Sequence, residues 1–122
     1  PNILPLVAEI GAALAGTPHE IIFVDDGSTD DTPARLREAA CGAPLRFLRH
    51  RAPCGQSAAI VTGVKAARGA WIATLDGDGQ NDPADIPRLL ARAMAAPGPV
   101  LVAGHRVNRR DTATKRVSSR IA

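Results

Sequence analysis

An apolar run that stops abruptly at two carboxylates is the feature that most limits how this chain can fold. Residues 71–75 are largely apolar and are followed at once by Asp76, Gly77 and Asp78. This pattern is typical of a buried strand that ends at a loop carrying polar chemistry. Glycine between the acids leaves the backbone free to turn both carboxylates towards one hard divalent cation. We therefore predict a strand at 71–75 and a metal-binding loop at its carboxyl end.

Similar runs recur along the chain and predict an α/β fold. Further strands are predicted at 20–24, 45–49 and 100–103. Helices are predicted at 2–15, from Thr32, at 56–68 and from Asp82, with Thr32 and Asp82 as caps that each precede a proline. Strands that alternate with helices through short connections pair in parallel by right-handed crossovers. Polar residues that follow successive strands should then gather at one edge of the sheet, where open α/β folds bind ligands.

Length and composition indicate one globular domain. The chain has 122 residues, 45% of them hydrophobic, but no apolar run approaches the roughly 20 residues that a membrane-spanning helix needs. Because the sequence opens at Pro1 directly into a helical pattern, we expect it to be an excerpt of a longer protein.

The net charge of +3 is concentrated in the tail. Basic residues from Arg106 onwards are opposed by only one acid, Asp111. Two readings stay open, a solvated basic face or a site for an anionic phosphate. Nucleic acid is disfavoured as a partner because the tail has no aromatic residue on which bases could stack.

The cysteines and histidines do not form a recognisable metal motif. Cys41 and Cys54 are neither a close metal pair nor a redox motif, and they are expected to be reduced thiols of a cytosolic protein. His19, His50 and His105 lack metal-ligand spacing, which disfavours zinc.

The acidic stretches admit several interpretations. Asp25 and Asp26 could be plain turn residues, or they could accept hydrogen bonds from a nucleotide base or ribose. The stretch that starts at Asp76 could also be a turn. A helix-loop-helix calcium site is disfavoured because Pro87 stands where that loop has its closing glutamate. An aspartyl phosphatase is disfavoured by Gln80, where that pattern usually has threonine or valine.

Four motifs in order resemble those of family 2 glycosyltransferases. They are residues 20–32, 55–63, 76–83 and 104–106, and the match covers nearly the whole chain. The closest resemblance is to the polyprenyl-phosphate branch, which is similar to dolichol-phosphate mannose synthase. This resemblance implies a GT-A fold, a Rossmann-like three-layer sandwich with a mostly parallel sheet whose first strand would lie before Pro1. It also implies that residues 1–122 are one family 2 catalytic domain, incomplete at both ends.

The resemblance further implies an inverting sugar transfer from a nucleoside diphosphate sugar to a polyprenyl phosphate, dependent on Mg²⁺ or Mn²⁺, at the cytoplasmic face of a membrane. The nucleoside and donor residues would be Val24, Asp25, Asp26, Asp76 and Gly77. The metal residues would be Asp76, Asp78 and Gln80, and the catalytic residues Asp78 and Arg106. The acceptor phosphate would be held by Arg106, Arg116, Ser119 and Arg120.

Two other functions stay open from the sequence. A family 2 transferase that uses a sugar hydroxyl as acceptor would need a carboxylate base beyond Ala122. A nucleotide-binding module without turnover would keep the donor residues and lack transfer.

Overall fold

The structure is a computed structural model that describes residues 3–104. Within these residues it has four α-helices, two β-strands and one short 3₁₀ turn. In chain order they are α1 Ile3–Ala13, β1 Ile21–Asp25, α2 Thr32–Ala40, β2 Leu45–Arg49, α3 Gln56–Ala66, the 3₁₀ turn Pro83–Asp85 and α4 Ile86–Met94. Helices and strands alternate through the first half of the chain, so the predicted α/β class is confirmed.

The two strands pair in parallel, as the alternation predicted. The register runs from Ile21 opposite Leu45 to Asp25 opposite Arg49, and α2 forms the crossover between the strands. Both strands therefore end at the same edge of the sheet, and the loops that follow them are neighbours.

Helices cover both faces of this small sheet. Ile21 and Phe23 pack against the core formed by α1 and α2. Val24 points the other way, since a methyl group placed on Gly63 of α3 would lie 3.4 Å from its Cγ2 atom. The result is a helix, sheet and helix arrangement consistent with a GT-A-type fold, and the small residues of α3 allow its close approach to the sheet.

Helix α1 joins two apolar clusters. One cluster consists of Ile3, Val7, Leu36, Ala39 and Leu45. The other consists of Leu6, Ile10, Leu14 and Ile86. Leu36 is fully buried, and burial of such a side chain stabilises the fold by about 1.5–3 kcal/mol. Because α1 contributes to both clusters, it ties the sheet to the turn that precedes α4.

The predicted strands at 71–75 and 100–103 are wrong for this structure, in which neither segment forms a strand. Trp71, Ile72 and Leu101 are 43%, 49% and 93% exposed. A strand exists only where a neighbour supplies hydrogen bonds, and within residues 3–104 neither segment has such a neighbour. An apolar run indicates a preference for burial, but it does not provide the neighbouring strand that would supply the hydrogen bonds.

One of the two predicted helix caps is confirmed. Asp82 Oδ1 accepts a hydrogen bond of 2.9 Å from the Ala84 backbone N–H at the start of the 3₁₀ turn. Thr32 is not a cap but the first residue of α2, and its N–H donates to Asp30 Oδ1 at 3.0 Å. The backbone N–H groups of Ala34 and Arg35, which a Thr32 cap would have bound, donate instead to the Asp31 carbonyl.

No helix within residues 3–104 combines the length and the apolar character needed to cross a membrane.

Candidate functional site

A shallow cleft lies at the edge of the sheet where β1 ends. Its volume is about 200 Å³, and it is lined by Ile3, Phe23, Val24, Asp25, Asp26, Ser28, Thr32 and Gly77. The cleft brings together Val24, Asp25, Asp26 and Gly77, four of the five residues that the sequence predicted for the nucleoside and donor. Asp25, at the end of β1, and Gly77, in the acidic loop 52 positions later in the sequence, therefore share one surface.

Asp25 is the buried charge of this cleft, with a relative exposure of 2%. Its Oδ1 atom accepts a hydrogen bond of 3.0 Å from the Ser28 backbone N–H. Its Oδ2 atom lies 3.2 Å from Arg49 Nε in an ion pair, but the alignment is not that of a hydrogen bond, so this buried oxygen has no hydrogen-bond donor among the described residues. The guanidinium of Arg49 therefore supplies the charge that compensates this buried carboxylate.

Asp26 organises the loop that follows β2. Its Oδ1 atom accepts from His50 Nδ1 at 2.6 Å and from the Cys54 backbone N–H at 2.8 Å. Its Oδ2 atom accepts from the Gly55 backbone N–H at 2.7 Å. The hydrogen bond from His50 and those from the two backbone N–H groups hold the pKa of Asp26 below its ordinary value. Since an ionised carboxylate offers about four acceptor positions, Asp26 can accept one more hydrogen bond from a ligand.

His50 links Asp26 to helix α3. Its second ring nitrogen, Nε2, lies 2.8 Å from the Thr62 Oγ1 atom. An ionised carboxylate can only accept, so Nδ1 of His50 donates to Asp26, and the Thr62 hydroxyl is the hydrogen-bond partner of the other ring nitrogen. No role was predicted for His50, because the spacing of histidines does not reveal a partner 24 residues away.

The loops after β1 and β2 cross in close contact. Gly27 has a φ of +77°, and a Cβ atom at this position would lie 2.8 Å from the Pro53 backbone nitrogen. Only glycine combines this backbone conformation with this approach. Arg49 holds the same loop from the other side, since its Nη2 atom donates to the Ser28 carbonyl at 2.8 Å.

The start of α3 connects Asp26 to the acidic loop. Gly55 donates to Asp26, and the next residue, Gln56, donates from its Nε2 atom to Asp76 Oδ1 at 2.9 Å. In the loop itself the Gln80 backbone N–H donates to Asp78 Oδ1 at 2.9 Å. Two consecutive residues at the helix start therefore hold carboxylates from separate parts of the chain.

The chemistry of the acidic loop fits a hard divalent cation. Asp76 and Asp78 are both exposed, and each hydrogen bond described for them uses Oδ1. Oxygen donors of this type suit Mg²⁺ or Mn²⁺, which commonly bind through one or two carboxylates together with substrate phosphates.

The predicted acceptor-phosphate residues, Arg106, Arg116, Ser119 and Arg120, lie outside the described residues. Three residues of the site were not predicted from the sequence, namely Arg49, His50 and Gln56. A strand-end arginine opposite an acid in a parallel register was the one sequence signal that could have indicated Arg49.

A parallel sheet edge with carboxylates around a cleft defines an α/β ligand-binding domain. The sequence matches the family model described as Glycosyl transferase family 2 over residues 1–121. The chain belongs to this family, as its motifs predicted.

Among its relatives is the dodecaprenyl-phosphate galacturonate synthase of Rhizobium johnstonii, which is 44% identical over 114 residues, 90% of this chain and 33% of that protein. Undecaprenyl-phosphate 4-deoxy-4-formamido-L-arabinose transferases are also similar. The one from Pseudomonas paraeruginosa is 43% identical over 87% of this chain and 31% of its own length. The one from Pseudomonas fluorescens is 43% identical over 84% of this chain and 30% of its own length. The chain thus spans about a third of the length of these relatives.

Proposed function

We propose that this chain is the donor-binding part of a catalytic domain that moves a sugar, with inversion, from a nucleoside diphosphate sugar to a polyprenyl phosphate. The observation that carries the proposal is the cleft in which buried Asp25 lies with Asp26 and Gly77. Membership of glycosyl transferase family 2 supports the reaction class.

In this proposal the nucleoside lies against Val24, Asp25 and Asp26. Asp25, which is buried and paired with Arg49, shapes the surface of the cleft against which the nucleoside lies. Asp26 keeps the loop after β2 in place through its three hydrogen bonds and supplies one further acceptor position. The diphosphate then extends towards Gly77, which lines the same cleft.

The proposed metal residues are Asp76, Asp78 and Gln80. When bound there, Mg²⁺ or Mn²⁺ supplies positive charge to the leaving diphosphate as the bond from the sugar to oxygen breaks. Gln56 positions Asp76 for this role, and the Gln80 backbone N–H orients Asp78.

The proposed acceptor is a polyprenyl phosphate of the dolichyl type, and reaction takes place at the cytoplasmic face of a membrane. The names of the relatives, which refer to dodecaprenyl phosphate and undecaprenyl phosphate, support this class of acceptor. A phosphate oxygen is already anionic, so no side chain has to remove a proton from it. The residues proposed to hold that phosphate are Arg106, Arg116, Ser119 and Arg120.

Calorimetry and a transfer assay on the full protein test the proposal together. We expect a nucleoside diphosphate, UDP or GDP, to bind more tightly with Mn²⁺ than without it, and a sugar to be transferred to undecaprenyl phosphate. Asp25→Asn should weaken the binding of the nucleotide, whereas Asp31→Asn, at an exposed position outside the cleft, should not. Binding without transfer to any acceptor would indicate a nucleotide-binding module, and absence of binding would overturn the site.

A further inference from the structure

Three possible metal ligands lie close together beside the cleft. They are a carboxylate oxygen of Asp26, a ring nitrogen of His50 and the sulfur of Cys54. One ligand atom from each of the three residues lies within 4.8 Å of the others. Asp26 follows β1, and the other two residues belong to the loop that follows β2. Within residues 3–104 no other group of three acidic, histidine or cysteine side chains has this geometry.

We propose that these three side chains form a binding site for a thiophilic divalent cation of the Zn²⁺ class. Carboxylate oxygen, imidazole nitrogen and thiolate are the donors that Zn²⁺ takes in proteins. The sulfur distinguishes this site from the all-oxygen loop at Asp76 and Asp78, because soft ligands select against Mg²⁺. Three protein ligands leave the fourth tetrahedral position to water.

The distances require only a small rearrangement. Two ligand atoms on one tetrahedral Zn²⁺ lie roughly 3–4 Å apart, which fits the 4.8 Å limit of the cluster. The bond between His50 Nδ1 and Asp26 Oδ1, now 2.6 Å, opens by about half an ångström to admit the ion. The exposed Cys54 thiol gives up a hydrogen bond of 3.2 Å to the Ala52 carbonyl.

Neighbouring groups already support the ligands in the orientation that the ion needs. Thr62 Oγ1 lies 2.8 Å from His50 Nε2. When the ion takes Nδ1, the proton on Nε2 of the bound ring donates to this hydroxyl, which keeps the ring in place. Gly55 keeps its bond to Asp26 Oδ2, and the Cys54 thiol loses its proton to solvent as it becomes a ligand.

Bound metal would clamp the loops that follow β1 and β2, which already cross at Gly27 and Pro53. The proposal does not depend on sugar transfer, because it rests only on the geometry of the three side chains. Zn²⁺ should therefore bind whether or not the protein is active with a nucleotide sugar.

Cobalt substitution in the full protein tests the site, because a thiolate bound to Co²⁺ gives a charge-transfer band in the near ultraviolet that carboxylate and imidazole ligands do not give. We expect addition of Co²⁺ to produce this band, and Zn²⁺ to remove it by displacement. Cys54→Ser should abolish the part of the band that appears with the first equivalent of Co²⁺. Cys41→Ser, at the other exposed free cysteine, is the control and should leave that part of the band unchanged. His50→Gln should lower the apparent Zn²⁺ affinity by at least about tenfold.

The double variant Asp76→Ala, Asp78→Ala separates this site from the proposed donor metal site, and it should keep the cobalt band. The proposal is overturned if the first equivalent of Co²⁺ gives no thiolate band. It is equally overturned if the band survives in Cys54→Ser, or if it disappears when Asp76 and Asp78 are replaced.

Discussion

Gln56 and Asp76 are joined across 20 residues of sequence by a side-chain hydrogen bond of 2.9 Å. Gln56 is the first residue of α3, and the residue before it, Gly55, donates to Asp26. The helix start is therefore the physical connection between the end of β1 and the acidic loop.

The Gln56 bond should matter for the metal dependence of the protein. Gln56→Ala frees Asp76 from α3. Loss of one hydrogen bond of about 0.5–1.5 kcal/mol corresponds to a decrease in metal affinity of roughly two- to tenfold. We expect the Mn²⁺ concentration needed for half-maximal nucleotide binding to rise by this factor in calorimetry. Ser57→Ala, at the next exposed position of the helix, is the control. An unchanged Mn²⁺ requirement in Gln56→Ala would mean that the bond does not position the acid.

Asp78 is predicted to be required for turnover and dispensable for folding. Its carboxylate is exposed and its hydrogen bond is local, to the Gln80 backbone. Asp78→Ala should abolish metal-dependent transfer, a loss of at least about a hundredfold, and leave the unfolding midpoint in urea unchanged. Asp85→Ala, at an exposed acid of the 3₁₀ turn, should keep full activity. Normal transfer in the Asp78 variant would remove it from the metal site.

Arg106 is predicted to act on the acceptor. Arg106→Ala should raise the KM for undecaprenyl phosphate by about tenfold or more, because a charge-assisted contact to phosphate is lost, while the affinity for the nucleotide stays constant. Arg92→Ala, on the exposed last turn of α4, should change neither. If both substrates are affected equally in steady-state kinetics, Arg106 does not belong to an acceptor site.

Gly27 should be among the positions that tolerate substitution least. Gly27→Ala places a Cβ atom 2.8 Å from Pro53 N at a φ of +77°. The backbone conformation alone costs about 1–2 kcal/mol, and the steric conflict adds about 1–3 kcal/mol. Gly16→Ala separates the two effects, because Gly16 has a φ of +80° with nothing within 4 Å. Equal losses of unfolding free energy in urea for both variants would show that the loops do not cross as described.

Glu20 should make stability depend on pH in acid. The Arg68 backbone N–H, at 2.7 Å, and then the Arg46 side chain, at 3.0 Å, lower the pKa of Glu20 below its ordinary value of 4.5. The unfolded chain therefore binds this proton more readily than the folded one. The contribution is fully present above about pH 4.5 and is lost as pH falls through the lower folded pKa.

Urea unfolding between pH 3 and pH 6 measures this effect. Glu20→Gln should flatten the acid side of the stability curve relative to Glu9→Gln, which replaces an exposed acid of α1. Parallel curves for the two variants would contradict the assignment.

The sequence predicted those parts of the fold and site that depend on local pattern. Three predictions of this kind needed only a few neighbouring residues. They are the helix that starts at Ile3, the strand in the apolar run that ends at Asp25, and the cap at Asp82. The failed strand at 100–103 depends on a hydrogen-bonded neighbour, which an apolar run cannot specify. The motif resemblance identified four of the residues that line the cleft, Val24, Asp25, Asp26 and Gly77, because family motifs include positions that are close in space.

The partners of those residues could not be predicted. Asp26 is held by groups 24 to 29 positions away in the chain, and nothing near Asp26 in the sequence indicates them. Their positions follow from the register of β1 on β2 and from the crossing of Gly27 with Pro53. Both are properties of the assembled sheet edge rather than of any local segment.

The pairing of Asp25 with Arg49 has a consequence for how the two strands find each other. A slip of two residues would leave every side chain on its original face, so hydrophobicity alone cannot reject it. A slip in the direction that sets Asp25 opposite Phe47 would leave that acid without its cation, which is costly for a group 2% exposed. The ion pair at the strand ends thus favours the observed register of β1 on β2, and the shape of the cleft depends on that register.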